Sequence, residues 1–258
     1  MATTKKPATK TGTAVAVKAA SNMVSIKEQM ALMLAEQGDK TAPGGGNSIR
    51  ITQDKKFVLP DGTKTEGPLQ LVVVDFMTEH RFYEGAFNAK EMVPPNCFAI
   101  GSNPLKMFMS KNAPDPQAID KDGSCQTCPN NQWDSAGVGA GKACKNSRML
   151  AVLPPDADAD TPLWKLGVSP TATKGFDAFV TSTARVFQTP PIGVVVSVSF
   201  DDSVTYSKLL FSDPQMNENL GAHFGRIAEA KEMLMTEPDV SQFQKSKPAA
   251  RGKAPARR

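Results

Sequence analysis

No run of 18 apolar residues occurs anywhere in this 258-residue chain, and without one a membrane-spanning helix is not expected. The opening stretch, "MATTKKPATKTGTAVAVKAA", lacks the apolar segment that a signal peptide needs. These two absences point to a cytoplasmic protein. Cysteine is scarce, with four in all. A reducing compartment disfavours structural disulfides, so the four suggest metal before bridges. Catalytic signatures are missing as well: there is no Walker loop, no nucleophile elbow and no H-E-x-x-H helix. The zinc-deaminase pattern fails because Arg81 and Phe82 follow His80. The chain is therefore expected not to be an enzyme. A metal-dependent nuclease assembled from its 26 acids stands as the catalytic alternative.

Acid is also absent from both ends. Residues 1–18 carry Lys5, Lys6, Lys10 and Lys18, and residues 245–258 carry Lys245, Lys247, Arg251, Lys253, Arg257 and Arg258, with no Asp or Glu in either stretch. The formal net charge of +4 comes from 30 bases and 26 acids; without those ten cations the body holds 20 bases against 26 acids and stands at −6. Positive tails attract polyanions and release their counterions on binding. Low hydrophobicity and an Ala, Thr, Pro and Lys bias also predict disorder over 1–22 and 239–258.

What is present reads as a strand-rich body. A helix is expected over 23–47 with its linker: Ile26, Met30, Met33 and Leu34 share one face, Ser25 and Glu28 have capping-box spacing, and "APGGGN" ends it. From residue 48, "SIRI", "KFVLP", "LQLVVVDFMTEHRFYEG", "CFAIG", "RMLAVLP", "PLWKLGVS", "GVVVSVSF" and "TYSKLLF" read as strands separated by turns. Residues 175–187 form a helix whose Phe176, Phe179, Val180, Thr183 and Phe187 belong to the core, and an amphipathic helix over 217–235 carries Leu220, Phe224, Ile227 and Leu234. Strand–helix alternation is too sparse for a doubly wound sheet. The expected fold is mainly β with a few helices (α+β), an OB-like barrel over 48–213 with an inserted loop at 97–148, followed by a helix over 214–238.

Cys125 and Cys128 form C-x2-C; Cys144 follows after a Gly-rich loop and Cys97 opens an apolar strand. Two thiolates at that spacing hold one tetrahedral ion without straining the turn, and four cysteines leave no open position for water. The expectation is a structural zinc ion on Cys97, Cys125, Cys128 and Cys144. His80 or His223 is an alternative to Cys97, and an iron–sulfur cluster takes the same ligands. Around the pair lie Trp133, Lys142, Lys145 and Arg148, an aromatic and cations suited to stacking a base and gripping phosphates.

The segments "PPNCFAIGSNP", "CQTCPNNQWDSAGVGAGKACKNSRMLAVL" and "PIGVVVSVSF…TYSKLLF" resemble a family of tailed-bacteriophage single-stranded DNA-binding proteins, over roughly residues 48–212. The resemblance implies an OB-like core, a zinc-stabilised insertion with the four cysteines as ligands, and a role in phage DNA replication or recombination inside the infected host. Its partners would be single-stranded DNA and replication or recombination proteins; the six cations of residues 245–258 are expected to add nonspecific affinity or to link further copies along the strand. Many replicative single-strand binders end in an acidic tail; "KSKPAARGKAPARR" is the opposite. Strand alternation in "EHRFYEG" separates Phe82 from Arg81 and Tyr83; the expectation is Phe82 in the core and Arg81 with Tyr83 on the binding face, with the reverse assignment as the alternative. Lys55, Lys56, Lys106 and Tyr206 are further candidates beside strands. The rival reading is an architectural protein that coats duplex DNA through its basic tails.

Overall fold

The computed structural model describes residues 29, 46–85, 93–137 and 139–241. The chain divides into two compact units, Met1–Gly46 and Asn47–Arg258. Apart from Gln29, which is helical, the expected helix from Ser25 lies outside the described residues, as do the basic stretches 1–22 and 242–258. The second unit holds the whole of the sheet.

Nine strands form that sheet: β1 (Ser48–Ile51), β2 (Phe57–Val58), β3 (Lys64–Thr65), β4 (Leu69–Phe82), β5 (Cys97–Gly101), β6 (Lys145–Leu153), β7 (Trp164–Val168), β8 (Val194–Phe200) and β9 (Leu209–Met216). Eight run in the order β3-β2-β1-β7-β6-β4-β8-β9, and β5 joins the edge of β4. All pairs are antiparallel except β1 with β7. The 14 residues of β4 organise the whole. One edge pairs with β6 from Val72↔Leu153 to Arg81↔Lys145. The other edge is shared, Leu69–Val72 pairing with β8 and Thr78–Phe82 with β5. An irregularity between Val73 and Asp75 separates these two regions; bulges of this kind bend a strand and increase its twist. The result is a mixed α+β structure whose sheet curls into an open half-barrel, OB-like at the level of overall topology.

Both faces of the sheet are covered near its middle, so Leu71–Val74 reads as a continuous apolar run and not an alternation. On one face Leu71, Val73, Leu150, Val152, Leu166 and Val196 pack against α1 (Pro170–Val186). Pro170 sits at the start of that helix, where a missing N–H costs nothing. Phe176 meets Phe76 edge-on at 5.1 Å and Phe211 at 5.2 Å, and Phe179 stacks on Phe211 at 5.8 Å. Full burial of such side chains stabilises by about 1.5–3 kcal/mol each. The phenylalanine stripe is core, as its spacing predicts. On the other face Val72, Val74, Met77, Ala151 and Leu153 pack against Ala230 and Leu234 of α3 (Ile227–Met235).

Two element boundaries differ from expectation. The first helix starts at Pro170, five positions earlier than the phenylalanine pattern suggests, because "PTATKG" supplies a helical turn without large apolar residues. The single helix expected over 217–235 is two, α2 (Leu220–Phe224) and α3, with Gly225 and Arg226 between them. That break shifts the phase: Phe224 is 62% exposed, while His223 is buried and bonded to Asn217 at 2.9 Å. Arg226 fastens the break, donating from Nη1 to the carbonyls of Ala159 (3.2 Å) and Thr161 (2.8 Å) and pairing with Glu229 at 2.7 Å. Among the described residues no helix is long and apolar enough to cross a membrane.

Candidate nucleic-acid interface

The cysteine module grows out of the far end of β4. Met109 N–H donates to Gly123 O and Cys125 N–H to Met107 O, both at 2.9 Å, so 107–109 and 123–125 form a short ladder. Cys144 N–H donates to Asn130 O at 2.7 Å, and Asn131 Nδ2 to Cys125 O at 2.6 Å. These bonds bring Cys97, Cys125, Cys128 and Cys144 to the wall of one cavity of about 10 Å3, with His80 and Gln117 beside them.

That convergence follows from the spacing, but the metal does not. Among the described residues no group of three or more His, Cys, Asp or Glu is arranged to hold a metal ion, and all four cysteines are free thiols. The expected structural zinc ion, and with it the zinc-stabilised character of the insertion, is overturned. The thiols act as small apolar core groups: Cys97 packs with Phe98 and Ala113, and Cys125 with Ala99 and Met107. Burial pushes the Cys125 and Cys144 thiols up to about 12 and raises Cys97 as well. Cys128 Sγ donates to Gln117 O at 3.5 Å. His80 is held neutral, its pKa lowered to about 4 by burial first and then by Lys142 and Arg148. The module is held by backbone bonds and packing.

Several of the residues expected to contact nucleic acid form one surface track. Arg81 on β4 and Lys145 on β6 are direct cross-strand partners. Lys145 Nζ donates to Lys142 O at 3.0 Å, and Lys142 Nζ stands 5.4 Å from the Trp133 ring centroid. Trp133 is 73% exposed on the loop after the 3-10 turn Pro129–Asn131. At the other end Tyr83 continues the face of Arg81 and interacts with its guanidinium. Phe82 points the opposite way and packs against the Cys97–Phe98 cluster, as alternation requires. Arg81 Nη2 lies 2.6 Å from Glu79 Oε1. Burial opposes the guanidinium's charge there, and Glu79 and Tyr83 together outweigh burial and raise its pKa.

The remaining candidates lie elsewhere. Arg148, expected at the surface beside the cysteines, is buried and turned toward α1, where it forks onto Asp177 through Nε (3.2 Å) and Nη2 (2.9 Å). Its place three positions beyond Lys145 puts it on the opposite face of β6, and that parity corrects its assignment. Lys55 and Lys56 sit at the β1–β2 turn among carboxylates: Lys55 Nζ donates to Asp201 O at 2.9 Å and lies 3.8 Å from Asp202, and Lys56 is near Asp54 (3.5 Å) and Glu66 (3.7 Å). Tyr206 is exposed on the turn before β9, joined to that corner through Ser207 Oγ, which donates to Thr52 O at 2.7 Å. Lys106 is exposed on the cysteine module, apart from the track.

Two cations escaped sequence reasoning. Leu166 and Val168 face the α1 core, so Lys165 lies on the Arg81 face; likewise Ile49 and Ile51 face inward and Arg50 outward. The alternation in "PLWKLGV" and "SIRI" carries that signal. Comparison with protein-family models, curated proteins and solved structures finds no match. The open, curled β sheet is of the kind associated with nucleic-acid-binding OB-like domains.

Proposed function

We propose that this protein binds single-stranded DNA without sequence specificity, and that it protects and organises the strand during phage DNA replication or recombination in the infected host. The observation that carries the reading is the unbroken track Trp133–Lys142–Lys145–Arg81–Tyr83, with aromatic groups at its two ends and cations between. Stacking platforms joined by phosphate-binding cations are the means by which proteins hold single strands of any sequence. Trp133 supports this choice over duplex coating, because a protein that coats duplex by charge alone has no use for an exposed indole. The sequence resemblance to phage single-strand binders supports the biological setting. In this reading the chain acts by binding, without catalysis.

The test is fluorescence anisotropy with labelled oligo-dT and with matched duplex across a salt series, with oligo-rU as a third ligand. Tighter binding of oligo-dT than of duplex, accompanied by quenching of Trp133 fluorescence, is expected. Equal affinity for the two DNA forms overturns single-strand binding, and tighter binding of oligo-rU reassigns the ligand to RNA.

A further inference from the structure

Lys165 stands out among the charged groups. It pairs across the sheet with Ala151 of β6 and Ser48 of β1, close to the edge of the surface covered by α3. Lys165 as a residue is half-buried, its ammonium reaches solvent, and among the described residues no hydrogen bond or ion pair engages it. Its charged neighbours are Glu79 and Arg81. Glu79 is already engaged by Arg81 at 2.6 Å, and Arg81 Nε is itself buried without a hydrogen-bond partner among the described residues. Gly167, two positions on along the same face, adds no side chain, and its Cβ position would lie 4.0 Å from Met149. Arg50, two positions beyond Ser48 on β1, is exposed on that same face.

We infer that Lys165, with Arg50 beside it, forms a second phosphate-binding station on the sheet, so that a bound single strand crosses β4, β6, β7 and β1 after leaving the Trp133 track. The inference rests on the proposed single-strand binding and adds its path. A partly buried lysine side chain loses some of the hydration of its charge, and here no protein partner replaces it. Burial lowers the Lys165 pKa, and Arg81 lowers it further against the opposing effect of Glu79. An anion arriving at this point would satisfy Lys165 and offset both effects. Cations on this stretch of the sheet are Arg50, Lys165, Arg81 and Lys145; Glu79 lies among them, and Asp75 pairs with Ala151 in the same cross-strand row as Lys165.

Full-length Lys165→Gln and Arg50→Gln proteins, with Lys165→Arg as the conservative control, test the station by anisotropy on oligo-dT across a salt series. Loss of one phosphate contact from a single strand should flatten the log–log salt slope by about 0.7 and weaken binding several-fold. Lys165→Arg should retain the slope. Thermal melting of each variant separates lost binding from lost fold. If Lys165→Gln keeps the wild-type affinity and slope while Trp133→Ala weakens binding, the station is refuted and single-strand binding stands. If neither substitution has an effect, the single-strand reading falls with it. Competition by inorganic phosphate at constant ionic strength is the remaining arm. No displacement of oligo-dT is expected, and efficient displacement would reassign Lys165 to a free-anion site.

Discussion

The Lys142 ammonium lies 5.4 Å from the centroid of the Trp133 ring, and the ring is 73% exposed. The cation orients the indole from one side and leaves most of it open to solvent. A base that stacks there gains an aromatic partner already held in place. Trp133→Ala should therefore weaken oligo-dT binding by about 1–3 kcal/mol with little change in melting temperature. Anisotropy and thermal unfolding of the same preparation measure both quantities. An unchanged Kd would remove Trp133 from the interface.

Arg148 gives the opposite expectation. Its guanidinium is buried and forked onto Asp177, which is itself half-exposed. Asp177→Ala would leave a buried charge without its partner, at a cost on the order of 2 kcal/mol once solvent access to Asp177 is allowed for. Urea unfolding should show that loss while oligo-dT affinity stays at the wild-type value. A variant that binds weakly but unfolds normally would return Arg148 to the binding surface.

The contrast between these two residues shows what was legible in the chain. Both lie near the cysteine pair in sequence, and proximity alone placed both at the interface. Trp133 sits on a loop with no strand partner, so its exposure follows from local chemistry. Arg148 lies within β6, where parity decides the face, and parity is readable only once the strand is known to begin at Lys145. The same parity put Lys165 and Arg50 on the Arg81 face, but their relation to Arg81 depends on strand order, including the parallel pairing of β1 with β7. Sequence spacing correctly drew the four cysteines together around one cavity. It could not distinguish thiols converging on an ion from thiols lining an apolar wall, because both require the same chain path. The helix break at Gly225 was hidden for another reason: Leu220, Phe224 and Ile227 fit a helical period whether or not the helix continues.

Acid stability should report the two histidines. They are the only two in the chain, and both are buried with lowered pKa, chiefly through burial. For a histidine with a native pKa below its unfolded value of 6.5, stability is complete above that pH. It is lost as pH falls, because the unfolded chain takes up the proton first. For His80 the loss runs from pH 6.5 to about 4, at no more than about 1.4 kcal/mol per pH unit. Urea midpoints measured through this range should fall less steeply for His80→Gln than for wild type, and His223→Gln should remove a further part. Identical slopes for wild type and His80→Gln would show that His80 titrates normally in the folded protein.

Gly123 offers the sharpest test of what holds the cysteine module. Its φ is +72°, and an added Cβ would meet Met109 Cγ at 3.0 Å, in the ladder where Met109 N–H donates to Gly123 O. An L side chain in that left-handed conformation costs about 1–2 kcal/mol before any displacement of Met109. Gly123→Ala should therefore open the module locally, ahead of the sheet. The wild-type thiols are buried, and the Cys125 and Cys144 thiols, raised to about 12, carry little thiolate near neutral pH. They should react with an aromatic disulfide reagent only as fast as the module opens. The expected outcome is a several-fold faster reaction in Gly123→Ala at unchanged overall secondary structure. Equal rates in the two proteins would mean that the 107–109 and 123–125 ladder does not control access to the thiols, and that packing around Phe98 and Met107 holds them instead.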